Sequence, residues 1–154
     1  MLGDDEFKTR LKLLARSHSI FEKWKEVNDE LIKGTFPFLK KRERTLLDCI
    51  IRTIWDIGFN DALYVEVILR LRRKEKELFP SKKTIDKTIQ KLCKSGIVNS
   101  EISKFRPSNP DGTPGPWKKE RVLKLPESFR EEALNGMAEV FKMTMDGYFS
   151  PQRK

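Results

Sequence analysis

The sequence predicts a mainly helical α+β fold, and three observations carry that prediction. Amphipathic helical periodicity recurs in five blocks along the chain. Two strand-like runs joined by a Pro- and Gly-rich stretch fall together between the fourth and fifth blocks. Three helices followed by a single hairpin are too few to cover both faces of a sheet, which leaves a small α+β domain with a helix added at each end. A length of 154 residues suits one such domain with flanking elements and is enough to bury a core.

The first block covers residues 5 to 32. Phe7, Leu11, Leu14, His18, Phe21, Trp24, Val27 and Leu31 recur at three- and four-residue steps, an apolar stripe suited to packing on another helix. Gly34 and Pro37 end it. His18 has no second His and no Cys nearby, so it reads as a packed histidine and not as a ligand. The second helix covers 38 to 57, with Leu39, Leu46, Leu47, Ile50, Ile51, Ile54 and Trp55 on a wide apolar face and Gly58 as its stop. Asn60 is a candidate N-cap for a third helix over 61 to 76. Its apolar members are Leu63, Val65, Ile68, Leu69 and Leu71, although Leu63 to Ile68 also has the β-branched content of a strand.

Pro80 breaks the chain, and a fourth helix over 81 to 95 follows, with Ser81 as N-cap, Ile85, Ile89, Leu92 and Cys93 on one face, and Gly96 closing it. The strand-like runs are Val98 to Phe105 and Trp117 to Leu125. The eleven residues between them, Arg106 to Pro116, include four prolines and two glycines, a long stiffened hairpin tip. The last helix covers 128 to 146, with Ser128 and Glu131 as a capping box. Leu134, Met137, Ala138, Phe141 and Met145 form its stripe, Tyr148 extends it, Gly147 is its stop, and Ser150 to Lys154 is a frayed tail. Trp24 and Trp55 read as core. Trp117 reads first as an aromatic that pins the hairpin to the core and second as a stacking partner for a base.

Charge is segregated. The net charge is +9, but residues 40 to 125 carry 21 Lys or Arg against 11 Asp or Glu, so the whole excess lies mid-chain. Basicity needed only for solubility has no reason to collect there; a polyanionic partner, chiefly nucleic acid, supplies one. Cys49 and Cys93 lack metal-ligand spacing and read as buried free thiols of a reducing cytoplasm. No metal site and no cofactor is expected. The acidic, polar start of the chain does not resemble a signal peptide, and no apolar run approaches the ~20 residues of a membrane span, so no membrane partner is expected. No phosphate loop, nucleophile elbow or histidine triad is present, and Asp48, Asp56 and Asp61 are too dispersed for a two-metal site. The chain therefore reads as a non-enzyme.

The stretch Ser81-Lys82-Lys83-Thr84-Ile85-Asp86-Lys87-Thr88-Ile89-Gln90-Lys91-Leu92-Cys93-Lys94-Ser95-Gly96-Ile97-Val98 resembles the recognition helix and first wing strand of winged helix-turn-helix proteins. The match lies in Ser81, Thr84, Ile85, Lys87, Ile89, Leu92, Gly96, Ile97 and Val98, and the resemblance spans about residues 40 to 125. The charged connection Arg72 to Pro80 departs from the family's shorter, glycine-containing turn. The resemblance implies three domain segments: 1–37 for packing or dimerisation, 38–125 for DNA binding and 126–154 for dimerisation. It also implies a homodimeric, sequence-specific transcriptional regulator on double-stranded DNA.

The residues agree with that implication in sign. With Ile85, Ile89 and Leu92 buried, the opposite face of the fourth helix presents Lys83, Lys87, Gln90, Lys91 and Lys94 to a major groove. Ser81, Lys82, Thr84 and Thr88 complete its first turns. Lys104, Arg106, Lys118, Lys119 and Arg121 flank the hairpin tip, where Arg106 can reach a minor groove. Lys40, Lys41, Arg42 and Arg44 sit at a helix N-terminus, where cations oppose the helix dipole. The interleaved run Arg70 to Glu77 reads mainly as a solvated face. Two rival readings stay open: an origin-binding replication initiator, and a protein-interaction module of a polymerase or helicase complex.

Overall fold

A computed structural model describes residues 21–57 and 60–149. Helix α1 runs over 21–35, α2 over Lys41–Ile57, α3 over Tyr64–Lys74, α4 over Lys82–Lys94 and α5 over Glu127–Phe149. Strand β1 is Ala62–Leu63, β2 is Asn99–Phe105 and β3 is Lys118–Lys124. The fold is mainly helical with one small antiparallel sheet of order β1-β3-β2. The chain divides into two compact units.

The larger unit is residues 38–131. Here α2 packs against α3, α4 and β1. Leu46, Leu47, Ile50, Ile51 and Ile54 of α2, Val67 and Leu71 of α3, and Ile85, Ile89 and Leu92 of α4 are all fully buried, with Phe79, Ala62 and Leu123 filling in. Burying each such side chain contributes about 1.5–3 kcal/mol. The start of α2 is closed by Glu43, whose carboxylate accepts from Lys40 N at 2.6 Å. Ser81 caps α4, its hydroxyl accepting from Thr84 N at 3.3 Å. Gly96, at φ 75°, turns the chain off α4 so that Ile97 N reaches Leu92 O at 3.0 Å. Only glycine takes that backbone angle without strain.

The smaller unit joins the described parts of residues 1–37 and 132–154. Trp24, Asn28 and Ile32 of α1 are buried, as are Ala133, Met137 and Val140 of α5. Trp24 Nε1 donates to Met137 O at 3.1 Å, and Phe21 meets Trp24 edge-on at 5.7 Å.

Several sequence expectations change. The expected positions Phe7, Leu11, Leu14 and His18, the stop Gly58 and the tail 150–154 lie outside the described residues. The buried line of α1 is Trp24–Asn28–Ile32, while Val27 and Leu31 stand at its margin. Helix α2 starts at Lys41, and Phe38 is exposed. Trp55 is half-buried. Asn60 caps no helix: Ala62–Leu63 is drawn into the sheet opposite Leu123 and Val122, so α3 starts later, at Tyr64, without a side-chain cap. That start sets the buried face as Tyr64, Val67, Ile68 and Leu71, leaving Val65 and Leu69 exposed.

Helix α5 begins at Glu127, which puts Ser128 inside the first turn, where no capping box forms. Its buried line is Phe129, Ala133, Met137 and Val140; Leu134 is half-buried, Ala138 and Phe141 are exposed, and the helix continues through Gly147. The side chains of Met145 and Tyr148 lie outside the described residues. Cys49 is buried, its thiol donating to Val67 O at 3.8 Å and pushed up to about 12 by burial; Cys93 is only half-buried. Among the described residues no helix is long and apolar enough to cross a membrane.

Candidate nucleic-acid interface

The outer face of α4 is a row of ammonium groups. Burial of Ile85, Ile89 and Leu92 turns Lys83, Lys87, Gln90, Lys91 and Lys94 to solvent. Lys83, Lys87 and Lys91 are four residues apart, the spacing at which like charges on a helix repel. Lys82 and Lys83 open the helix, and its first turn holds no acidic residue to oppose them. Lys91 has partial relief, with its Nζ 3.5 Å from Glu43 Oε1. Lys83, Lys87 and Lys94 make no ion pair among the described residues.

The hairpin repeats the pattern. The register places Lys104 directly opposite Lys119, and Ile102 opposite Arg121. Like charges facing across a strand pair are destabilising. Lys118 is also exposed.

Tyr64 brings helix and hairpin together. Its ring, at the start of α3, is contacted by the Arg121 guanidinium at 4.3 Å and by Lys82 Nζ at 5.8 Å. Its hydroxyl donates to Asp86 Oδ1, on the second turn of α4. Burial and the Asp86 carboxylate push the Tyr64 hydroxyl up to about 12, so it is a neutral donor. Arg121 Nε also donates to Ser100 Oγ at 2.6 Å. The base of the hairpin and the start of α4 thus share one side chain. Sequence reading missed Tyr64, because its partners lie 22 and 57 positions away with no local pattern to announce them.

No family model, curated protein or solved structure matches this chain.

The remaining expected residues divide. Thr88 is corrected: it is only 6% exposed, and its hydroxyl donates to Thr84 O at 2.8 Å, so it is turned inward and not toward the outer face of α4. Ser81 and Thr84 are committed to the helix cap, with the two hydroxyls 3.2 Å apart. Arg44 is half-buried and donates to Leu39 O, and Arg42 donates to Leu78 O, both at 2.8 Å; these two brace loops at the start of α2, while Lys40 and Lys41 are exposed. Trp117 is corrected as well: it is 67% exposed and does not pin the hairpin to the core. Arg106 lies over its ring at 5.8 Å and donates through Nε to Gly115 O at 2.8 Å.

Some cations elsewhere in this unit are paired with carboxylates. Arg52 pairs with Asp48 at 3.1 Å, and Arg70 pairs with Asp56 at 2.6 Å and Glu66 at 3.3 Å. Burial works against the Arg70 charge, but those two carboxylates outweigh it and raise its pKa. Lys124 joins Asp61 and Glu101 at the base of the hairpin, chiefly through Glu101. Among the described residues Lys83, Lys87 and Lys94 of α4 and Lys104, Lys118 and Lys119 of the hairpin have no carboxylate partner, and neither do Arg72, Arg73 and Lys76 around the end of α3.

Proposed function

We propose that this chain is a sequence-specific double-stranded DNA-binding protein of winged helix-turn-helix architecture, acting as a homodimeric transcriptional regulator and not as an enzyme. In this reading α4 is the recognition helix, the β2–β3 hairpin is the wing, and Tyr64 holds them in register. The observation that carries it is the like-charge stacking of Lys83, Lys87 and Lys91 along α4, together with Lys104 against Lys119 on the hairpin. Folding alone is opposed by both arrangements, whereas a phosphate backbone stabilises both. Lys82, Lys83 and Lys87 lie in the first two turns, where a groove-bound helix makes its base contacts. The exposed Phe21, Phe141 and Met143 of the smaller unit support a self-associating surface there.

The test is a fluorescence-anisotropy titration of random-sequence duplex DNA at several salt concentrations, with molar mass measured by light scattering. A steep negative slope of log affinity against log salt, about 0.9 per phosphate neutralised, together with a dimer mass, is the expected result. Absence of binding at low salt overturns the reading and transfers the basic surface to an acidic protein partner.

A further inference from the structure

Trp117 has no part in the duplex reading, yet with Phe38 it is one of the two most exposed large apolar residues of the basic unit. It stands where β3 begins. The register pairs Phe105 with Lys118, which brings Arg106 opposite Trp117 at the mouth of the tip. The tip itself is braced. Gly115 N donates to Pro107 O at 2.6 Å, Asn109 N to Thr113 O at 2.7 Å and Gly112 N to Asn109 O at 2.9 Å. Arg106 is tied to Gly115 O by its Nε, and its guanidinium carbon lies 5.8 Å from the centroid of the indole. Trp117 is 67% exposed, and the register puts Lys104 and Lys119 on its face of the hairpin, one step further along.

An indole held on a rigid arm costs little entropy on binding, and its face accepts any nucleobase. Cations beside it fit the phosphates flanking a stacked base. In a duplex each base is already stacked on its neighbours, so the ring has no free base face to engage there. We propose that the hairpin mouth is a second nucleic-acid site, specific for unpaired bases: one base of a single strand stacks on Trp117, and Lys104 and Lys119 hold its phosphates. The site goes beyond the duplex reading; it shares Lys104 and Lys119 with it, and the two are told apart at Trp117 and at Lys83, each of which serves only one of them.

The experiment titrates the full chain with an oligothymidylate of about 12 nucleotides, a length within the usual site sizes for single strands. The same titration is run with the random-sequence duplex. Trp24 is buried and Trp55 half-buried, so quenching of tryptophan emission by the oligonucleotide reports mainly on Trp117. Wild type is expected to show quenching and saturable binding. Trp117→Ala is expected to weaken the single-strand affinity by about tenfold or more, the usual effect of losing one stacked base, with duplex affinity within about twofold. Trp117→Phe is expected to recover most of the loss, because a smaller ring still stacks. Lys83→Glu gives the complementary result: weakened duplex binding with single-strand binding retained. Equal single-strand affinity for wild type and Trp117→Ala, or binding without quenching, overturns the site. Loss of duplex binding alone leaves it standing and strikes only the regulator reading.

Discussion

Replacing Lys83 with Glu should make the protein more stable and a worse DNA binder. Lys83 is the second residue of α4, exposed, and four residues before Lys87. A carboxylate at the start of a helix contributes about 0.3–1 kcal/mol where an ammonium costs a comparable amount. The same change converts a repulsive pair with Lys87 into an attractive one, adding about 0.2–0.5 kcal/mol. Both effects are screened at the surface, so a net gain of about 1 kcal/mol is expected, or roughly 2–4 °C in Tm for a chain of this size. Binding moves the other way: each lost phosphate contact reduces the salt slope by about 0.9, which between 50 and 200 mM salt amounts to roughly a 3.5-fold change in affinity per contact. Differential scanning calorimetry and the anisotropy titration read the two quantities independently. A variant with raised Tm and unchanged slope reduces α4 to an ordinary solvated face. A variant with lowered Tm refutes the electrostatic account of the helix.

Three further outcomes follow from the geometry. Thr88→Val should leave the salt slope unchanged and lower stability by about 1 kcal/mol or less, because the lost hydroxyl served a helix carbonyl only; denaturant unfolding alongside the DNA titration checks both. Gly115→Ala should lower stability and release Arg106, since an added Cβ would lie 2.7 Å from Pro107 O; the release is read as a change in the emission of Trp117. Burial of Cys49 raises its thiol from 9.0 to about 12 in the folded protein, so its contribution to stability is fully present below about pH 9 and is lost as pH rises towards 12. Urea midpoints for wild type should therefore fall between pH 9 and 12, and Cys49→Ala should show a shallower decline over the same window.

Helix α4 was legible because its signals are local: a serine cap, apolar residues at four-residue steps and a glycine in the position only glycine fills comfortably. Its predicted face, with Lys83, Lys87, Gln90, Lys91 and Lys94 outward, is the face found. The start of α3 was not legible. Ala62 and Leu63 are extended because of pairing with residues some sixty positions later, and a two-residue strand leaves no periodicity to read. Missing it rotated the expected apolar face, which is why Val65 and Leu69 were placed inward. On α5 the apolar residues outnumber the places available in the interior, so Met137 belonged to two competing stripes and the alternative stripe through Phe129, Ala133 and Val140 is the buried one. The fate of Trp117 was equally hidden, since exposure depends on how far the hairpin projects from the core. The two aromatic clusters, Arg121 and Lys82 about Tyr64 and Arg106 on Trp117, are products of folding and not of any motif.

The shortness of β1 has a consequence for handling this protein. It covers β3 only at Val122 and Leu123, so among the described residues the outer half of β3, from Lys118 to Arg121, offers unpaired backbone along one side. Open strand edges recruit other strands, and lysines on an edge are a common safeguard against that. Lys118 and Lys119 stand on that open stretch, where charge disfavours pairing with another strand. Truncating them to alanine would strip the edge and invite clumping that mimics a loss of affinity, whereas exchanging them for glutamate removes the positive charge and keeps the edge defended.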